Sequence, residues 1–169
     1  MKQTRREFLQ TTAALTATYL SSSAFAFAKN TKLSFSTLGC PDWTFKQIVE
    51  FASSHHFSGI EVRGILKQLD LTQCPEFSKQ NLSSTLRLMR DNNLKFVDLG
   101  SSSTLHFSDP NERKKNIDEG KRFIELGQQL NCPYIRVFPN IFPKDQEKNA
   151  TIDLIVKGLI ELGDFRKRE

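Results

Sequence analysis

Apolar residues along this chain follow two rhythms that take turns. Short runs alternate with a period of two: 33–38 (LSFSTL), 59–63 (GIEVR), 94–100 (LKFVDLG) and 134–138 (YIRVF). After each run, apolar residues recur at helical spacing. They are Phe45, Ile48, Val49 and Ala52; then Leu82, Leu86 and Met89; then Ile117, Phe123, Ile124 and Leu130; and last Ile152, Ile155, Val156, Leu159 and Leu162. Period two marks strands and period 3.6 marks helices, so the pattern predicts four strand–helix units in a row. The helices are expected to start near Thr44, Leu82, Pro110 and Thr151. The third start is the clearest: Asp109 caps it, Pro110 takes the first helical position and Glu112 falls three after the cap. Gly120 and Gly127, seven apart on that helix, predict close packing on a sheet.

Strict strand–helix alternation implies parallel strands joined by right-handed crossovers. Two architectures accept this, an open doubly wound sheet and a closed (β/α)8 barrel. No strand is followed by G-x-G-x-x-G, and no G-x-x-x-x-G-K-[ST] phosphate loop occurs. The strand faces favour the barrel. Ile60 and Val62 oppose Glu61 and Arg63; Val97 and Leu99 oppose Asp98; Ile135 and Val137 oppose Arg136. Strands of a doubly wound sheet are apolar on both faces, whereas a barrel places polar residues in its upper interior. Two acids and two arginines also balance, which is the condition under which enclosed charges are tolerated.

The first 28 residues stand apart. Arg5-Arg6 followed by Phe8-Leu9, a soft run rich in Ala, Thr and Ser, and Ala26-Phe27-Ala28 form a twin-arginine export signal with a small-x-small cleavage site. The run is too polar to span a bilayer, and no cysteine stands near the cleavage point to carry a lipid. The expectation is an exported, periplasmic protein without a stable membrane anchor. Cleavage after Ala28 leaves 141 residues, enough for one core. It also removes Lys2, Arg5, Arg6 and Glu7, so the formal charge falls from +5 to +3. That is too mild for a nucleic-acid footprint. Cys40, Cys74 and Cys132 show no C-x-x-C or metal spacing and read as single thiols.

The segments STLGCPDWTFKQIVEFA, GIEVRG, FVDLGSSSTLHFSDPNERKKNI and LGQQLNCPYIRVFPN, in this order, resemble the sugar phosphate isomerase/epimerase family of xylose isomerase-like TIM barrels. The resemblance runs from Lys32 to Phe165 and implies the first four βα units of a (β/α)8 barrel, residues 29–169 forming its N-terminal half. For the complete barrel it implies a divalent metal ion at the mouth and isomerisation or epimerisation of a small carbohydrate by proton transfer. The metal ligands of the isomerase branch lie mainly on later strands, so no metal ligand and no catalytic residue is assigned here. A complete barrel takes about 250 residues. The chain is expected to be a truncated member, a half that associates with itself or with a C-terminal half, or a non-catalytic carbohydrate-binding or interaction module.

Within this frame the candidate substrate contacts are Glu61, Arg63, Arg136, His106 and Trp43. The charged strand residues read either as ligand contacts near the mouth or as a structural ion-pair cluster with Asp98. His106 lies in the loop after the third strand, at the active-site end; the alternative is a loop histidine before a helix cap. Trp43 could stack on a sugar face or plug the barrel end. Asn140 has position alone in its favour, and His55 and His56 sit at the opposite, stability end. The run ERKKN at 112–116 reads as a solvated helix face.

Overall fold

The computed structural model describes residues 32–168; the export signal and its cleavage site lie outside the described residues. The elements are β1 (Ser34–Ser36), α1 (Phe45–Ser54), β2 (Gly59–Val62), α2 (Leu82–Asp91), β3 (Lys95–Thr104), α3 (Pro110–Gln129), β4 (Ile135–Phe138) and α4 (Lys148–Arg168). The strands are parallel and ordered β1-β2-β3-β4. This order decides between the two architectures. A doubly wound sheet reverses its strand order at a switch point, and here none occurs. Successive right-handed crossovers put the helices on one side, giving the wall of four units of a (β/α)8 barrel.

Local chemistry fixes the helix ends. Thr44 and Gln47 form a capping box: Gln47 N donates to Thr44 Oγ1 at 3.3 Å and Thr44 N to Gln47 Oε1 at 2.9 Å. Asp109 Oδ1 accepts from the amides of Asn111 and Glu112 at 3.0 and 2.9 Å. Beyond α1, α2 and α3 the chain turns through His56, Asn93 and Asn131, all with positive φ, a conformation asparagine tolerates better than most residues.

The core fills the space between sheet and helices. Ile60, Val62 and Leu99 are fully buried against Phe45, Ile48 and Val49 of α1 and Phe123 of α3. The long β2–α2 connection adds Leu71 and Phe77 from two single 3-10 turns. Phe77 meets Phe96 edge-on with centroids 5.9 Å apart.

Several expectations are corrected. β1 ends at Ser36 because Thr37–Gly39 closes into a 3-10 turn, while β3 runs on to Thr104. Plain alternation would put Phe96 on the face of Asp98, but Phe96 is buried on the helix side. The register steps by one residue at Val97: Ile60 pairs with Phe96, and Glu61 pairs with Asp98. A bulge of this kind re-aims the side chains that follow it. Gly120 packs mainly on α4, where an added Cβ would lie 2.9 Å from Leu162 Cδ2, whereas Gly127 abuts Ile135 of the sheet. The ERKKN run is only partly solvated. Asn116 is buried, accepting from Thr104 N at 2.7 Å through Oδ1 and donating to Glu112 O at 2.8 Å. Arg113 reaches across to Leu154 O of α4 at 3.1 Å.

Candidate functional site

Glu61 of β2, Asp98 and Gly100 of β3 and Arg136 of β4 lie side by side, because the registers pair Glu61 with Asp98 and Gly100 with Arg136. They occupy the sheet face turned away from the helices, and Arg63 follows one residue after the end of β2. Thr37 sets the position of that residue. Its buried hydroxyl donates to Gly64 O at 2.8 Å and accepts from Arg63 N at 2.9 Å and Gly64 N at 3.1 Å. One donor and two acceptor sites are thus all used, and the exits of β1 and β2 are tied together.

Arg63 extends over β3, donating from Nη1 to Gly100 O at 3.2 Å and from Nη2 to Ser102 Oγ at 2.9 Å. Arg136 approaches from the other side, its Nη1 3.3 Å from Glu61 Oε1 and its guanidinium 5.1 Å from the centroid of Phe138. The Arg136–Glu61 contact is an ion pair by distance without hydrogen-bond alignment. Glu61 Oε1 and Arg136 Nε are both buried and have no hydrogen-bond partner. Glu119 of α3 accepts from Ser102 N at 2.7 Å. Burial, reinforced by the Glu61 charge, pushes the Asp98 carboxyl above the ordinary carboxylate range. Burial, then the neighbouring Arg136 charge, holds the Arg63 guanidinium below its ordinary value.

Three of the five candidates therefore come together: Glu61, Arg63 and Arg136. The ion-pair reading describes Glu61 and Arg136; Asp98 makes no ion pair with either arginine among the described residues. His106 is buried, its ring tilted against Phe107 with centroids 4.3 Å apart, and its Nδ1 has no hydrogen-bond partner among the described residues. No hydrogen bond or ion pair joins it to the charged wall among the described residues. Trp43 packs edge-on against Phe51 at 5.2 Å, beside the core. Asn140 is exposed with φ 67°, and His55 stacks on Phe51 at the far end of α1. Thr37, Gly100 and Ser102 are site residues that the sequence pattern did not single out. A signal for two of them was present, since Gly100 and Ser102 continue the period-two face of Asp98.

A metal needs a cluster of ligands, and among the described residues no three His, Cys, Asp or Glu side chains come together to supply one. Of the two carboxylates on the wall, Glu61 is already engaged by Arg136. The described residues do not fit a metal site. The three cysteines are free and buried. Burial pushes the thiols of Cys74 and Cys132 up to about 12 and about 11, which makes them poor nucleophiles.

Comparison with known proteins agrees with the fold. The family described as Xylose isomerase-like TIM barrel matches residues 49–169. The chain belongs to the xylose isomerase-like TIM barrel family. No curated protein matches it in sequence. Among solved structures, this xylose isomerase-like chain is similar to the IOLI protein with a bound zinc atom. That pair has 21% identity and a TM-score of 0.66, over 80% of this chain and 47% of that one. It is similar to the probable 3-DHS dehydratase AsbF from Bacillus anthracis, with 19% identity and a TM-score of 0.60, over 80% and 49%. It is also similar to D-psicose 3-epimerase from Clostridium cellulolyticum, solved with D-tagatose, with 14% identity and a TM-score of 0.63, over 82% and 49%. At such identities the likeness concerns the fold. The chain spans about half the length of these structures.

Proposed function

We propose that the charged wall of Glu61, Arg63, Asp98 and Arg136 holds a carbohydrate, as one side of the mouth of an isomerase- or epimerase-type barrel. The observation that carries this is the pair of buried, unpartnered atoms on the wall, the acceptor Glu61 Oε1 and the donor Arg136 Nε. Buried polar groups in native proteins normally have partners. A sugar hydroxyl both donates and accepts, so a polyol laid on this wall pairs with the part of the Arg136 guanidinium and Glu61 carboxylate that remains exposed and completes a contact that lacks hydrogen-bond alignment. The D-tagatose that accompanies the D-psicose 3-epimerase structure supports the same ligand class.

In this proposal the chain's own residues bind and orient. Proton transfer between neighbouring carbons, and the divalent metal that would assist it, belong to further strand–helix units paired onto the open edge of β4. Those units come from a second half or from a second copy, and they cover the apolar residues that α4 exposes. Export by the twin-arginine route, carried by Arg5, Arg6, Phe8, Leu9 and the Ala26-Phe27-Ala28 site, is part of the same reading. A carbohydrate-binding module without catalysis is the second reading, and it needs only the polar wall.

Titration calorimetry with a panel of ketoses and aldoses tests the proposal. Saturable binding is expected, weakened about tenfold or more by Glu61→Gln or Arg136→Gln, as suits loss of a charged hydrogen-bonding group. Proton NMR of the bound sugar in D2O separates the readings. Loss of a carbon-bound proton favours the isomerase, and binding without loss favours the module. No binding of any sugar contradicts both.

A further inference from the structure

The sheet has two open edges, and each lacks what the other carries. Among the described residues β1 pairs only with β2, and β4 only with β3. Inside the sheet a helix covers its own strand and the next one: Gly120 and Gly127 of α3 approach Ser103 of β3 and Ile135 of β4. α4 packs on β4, where Leu162 clusters with Ile135 and Val137, but no further described strand follows for it to cover. It exposes Ile152, Val156, Leu159 and Ile160, a stripe at helical spacing. A cavity lined by Ile135, Val137, Leu159 and Leu162 stays open beside that stripe. At the β1 edge the shortage is reversed. Phe35 packs on Phe51 of α1 with centroids 5.4 Å apart. Leu33, two residues earlier and so on the same face, extends the ladder by accepting from Ser58 N at 2.7 Å. Leu33 is 57% exposed, Phe35, Trp43 and Phe51 are half-buried, and no described helix precedes β1 to cover them.

We propose that two copies of this chain close edge to edge into one eight-stranded barrel, β4 of each against β1 of the other. A half turn about an axis along the strands keeps every strand parallel and makes both seams at once. Each α4 gains the strand it lacks, and each β1 gains a preceding helix. Leu33, at the start of β1, then arrives near the start of β4, where Ile135 lines the open cavity. The strand number closes as well: four strands taken twice make the eight of a TIM barrel, and the chain spans about half the length of the similar structures. Apolar surface beside an unpaired strand edge marks a contact surface. Glu61, Arg63 and Arg136 lie on the face away from the helices, so the closed pair sets two such walls around one interior. What that interior holds rests on the carbohydrate reading; the pairing of edges does not.

Analytical ultracentrifugation of the full chain across a wide concentration range tests the pairing, with circular dichroism confirming folding. A dimer is expected. Val156→Lys with Leu159→Lys at one edge, or Leu33→Lys at the other, is expected to raise its dissociation constant about tenfold or more. Sugar affinity should fall with the dimer, although none of these residues belongs to the wall. A short bismaleimide reads the geometry independently of stability. Copies with Leu33→Cys mixed with copies with Leu159→Cys should give a covalent pair. Arg87→Cys, on the exposed face of α2, mixed with Leu159→Cys should give none, and neither should the parent, whose three cysteines are buried. A chain that stays monomeric at every concentration overturns the pairing, and sugar binding by that monomer leaves the carbohydrate reading intact. A dimer that survives both edge variants, or growth into open-ended assemblies, overturns it too. A dimer that links Leu33→Cys to Leu159→Cys yet takes no sugar upholds the pairing and overturns the carbohydrate reading.

Discussion

The centre of this sheet and its β4 edge are built from the same sequence pattern and packed to different degrees. Around β2 and β3 the apolar positions are closed: Ile60, Val62 and Leu99 are inaccessible, and α1 buries Phe45, Ile48, Val49 and Ala52. At β4 every residue is only half-buried, and α4 exposes Ile152, Val156, Leu159 and Ile160. A cavity of about 580 Å³ opens between α3, α4 and β4, lined by Ile124, Ile135, Val137 and Leu162 among others. It lies on the helix side, away from the charged wall. Lys121 of α3 and Glu161 of α4, 2.7 Å apart, and the Gly120–Leu162 contact tie the two helices along one seam. The lesson is that hydrophobic period marks which face is to be covered and says nothing of where the cover comes from.

The largest expected effect separates centre from edge by truncation. Ile60→Ala should cost about 2–5 kcal/mol, as for other buried isoleucines, whereas Val137→Ala, beside the cavity, should cost about 1 kcal/mol. Denaturant unfolding measures both, and equal losses would erase the contrast. Next comes Thr37→Val, which keeps shape but strands the amides of Arg63 and Gly64. A loss of about 2–3 kcal/mol is expected, since buried groups are left unsatisfied, with weaker ligand binding because Arg63 is no longer held.

The charged wall works against the well-packed centre, and Asp98→Asn shows it through pH. The folded-state pKa of Asp98 is raised, so the folded protein holds its proton more readily than the unfolded chain. Its unfavourable contribution is present above the folded pKa and is relieved as pH falls towards the ordinary carboxylate range. Asp98→Asn should therefore be more stable than the parent at neutral pH, with the advantage shrinking on acidification. Thermal melts across that window check it, and a penalty at neutral pH would show that the carboxylate is stabilised instead. The smallest effect belongs to the exposed edge. Val156→Lys with Leu159→Lys should alter unfolding free energy by less than about 0.5 kcal/mol each, as for surface substitutions. It should nevertheless reduce concentration-dependent association measured by light scattering.

Much of this was legible in the residues. The unit order, the Asp109 cap and the shared face of Glu61, Asp98 and Arg136 follow from periodicity and from one capping rule. What escaped depends on events that a period cannot carry. The single-residue step at Val97 moves Phe96 to the helix side, because register is set between strands and not within one. Thr37 looked like an ordinary residue inside the 33–38 strand run, yet its hydroxyl serves backbone groups about 26 positions away in sequence. Asn116 sits in a charged run that patterning treats as one solvated face, although one buried amide suffices to bridge β3 and α3. The exposure of α4 was hidden for a different reason: its apolar stripe is genuine, and only the described partners for it are few.

The central claim is that the wall is a binding surface and not a self-satisfied ion cluster. The most direct measurement follows the Arg136 Nε–H resonance in ¹⁵N-labelled protein while each ketose and aldose of the binding panel is added. The account predicts a saturable shift at Arg136, accompanied by the Gly100 amide, with the midpoint raised about tenfold or more in Glu61→Gln. A resonance that stays fixed through the titration, in a protein that remains folded, would contradict it.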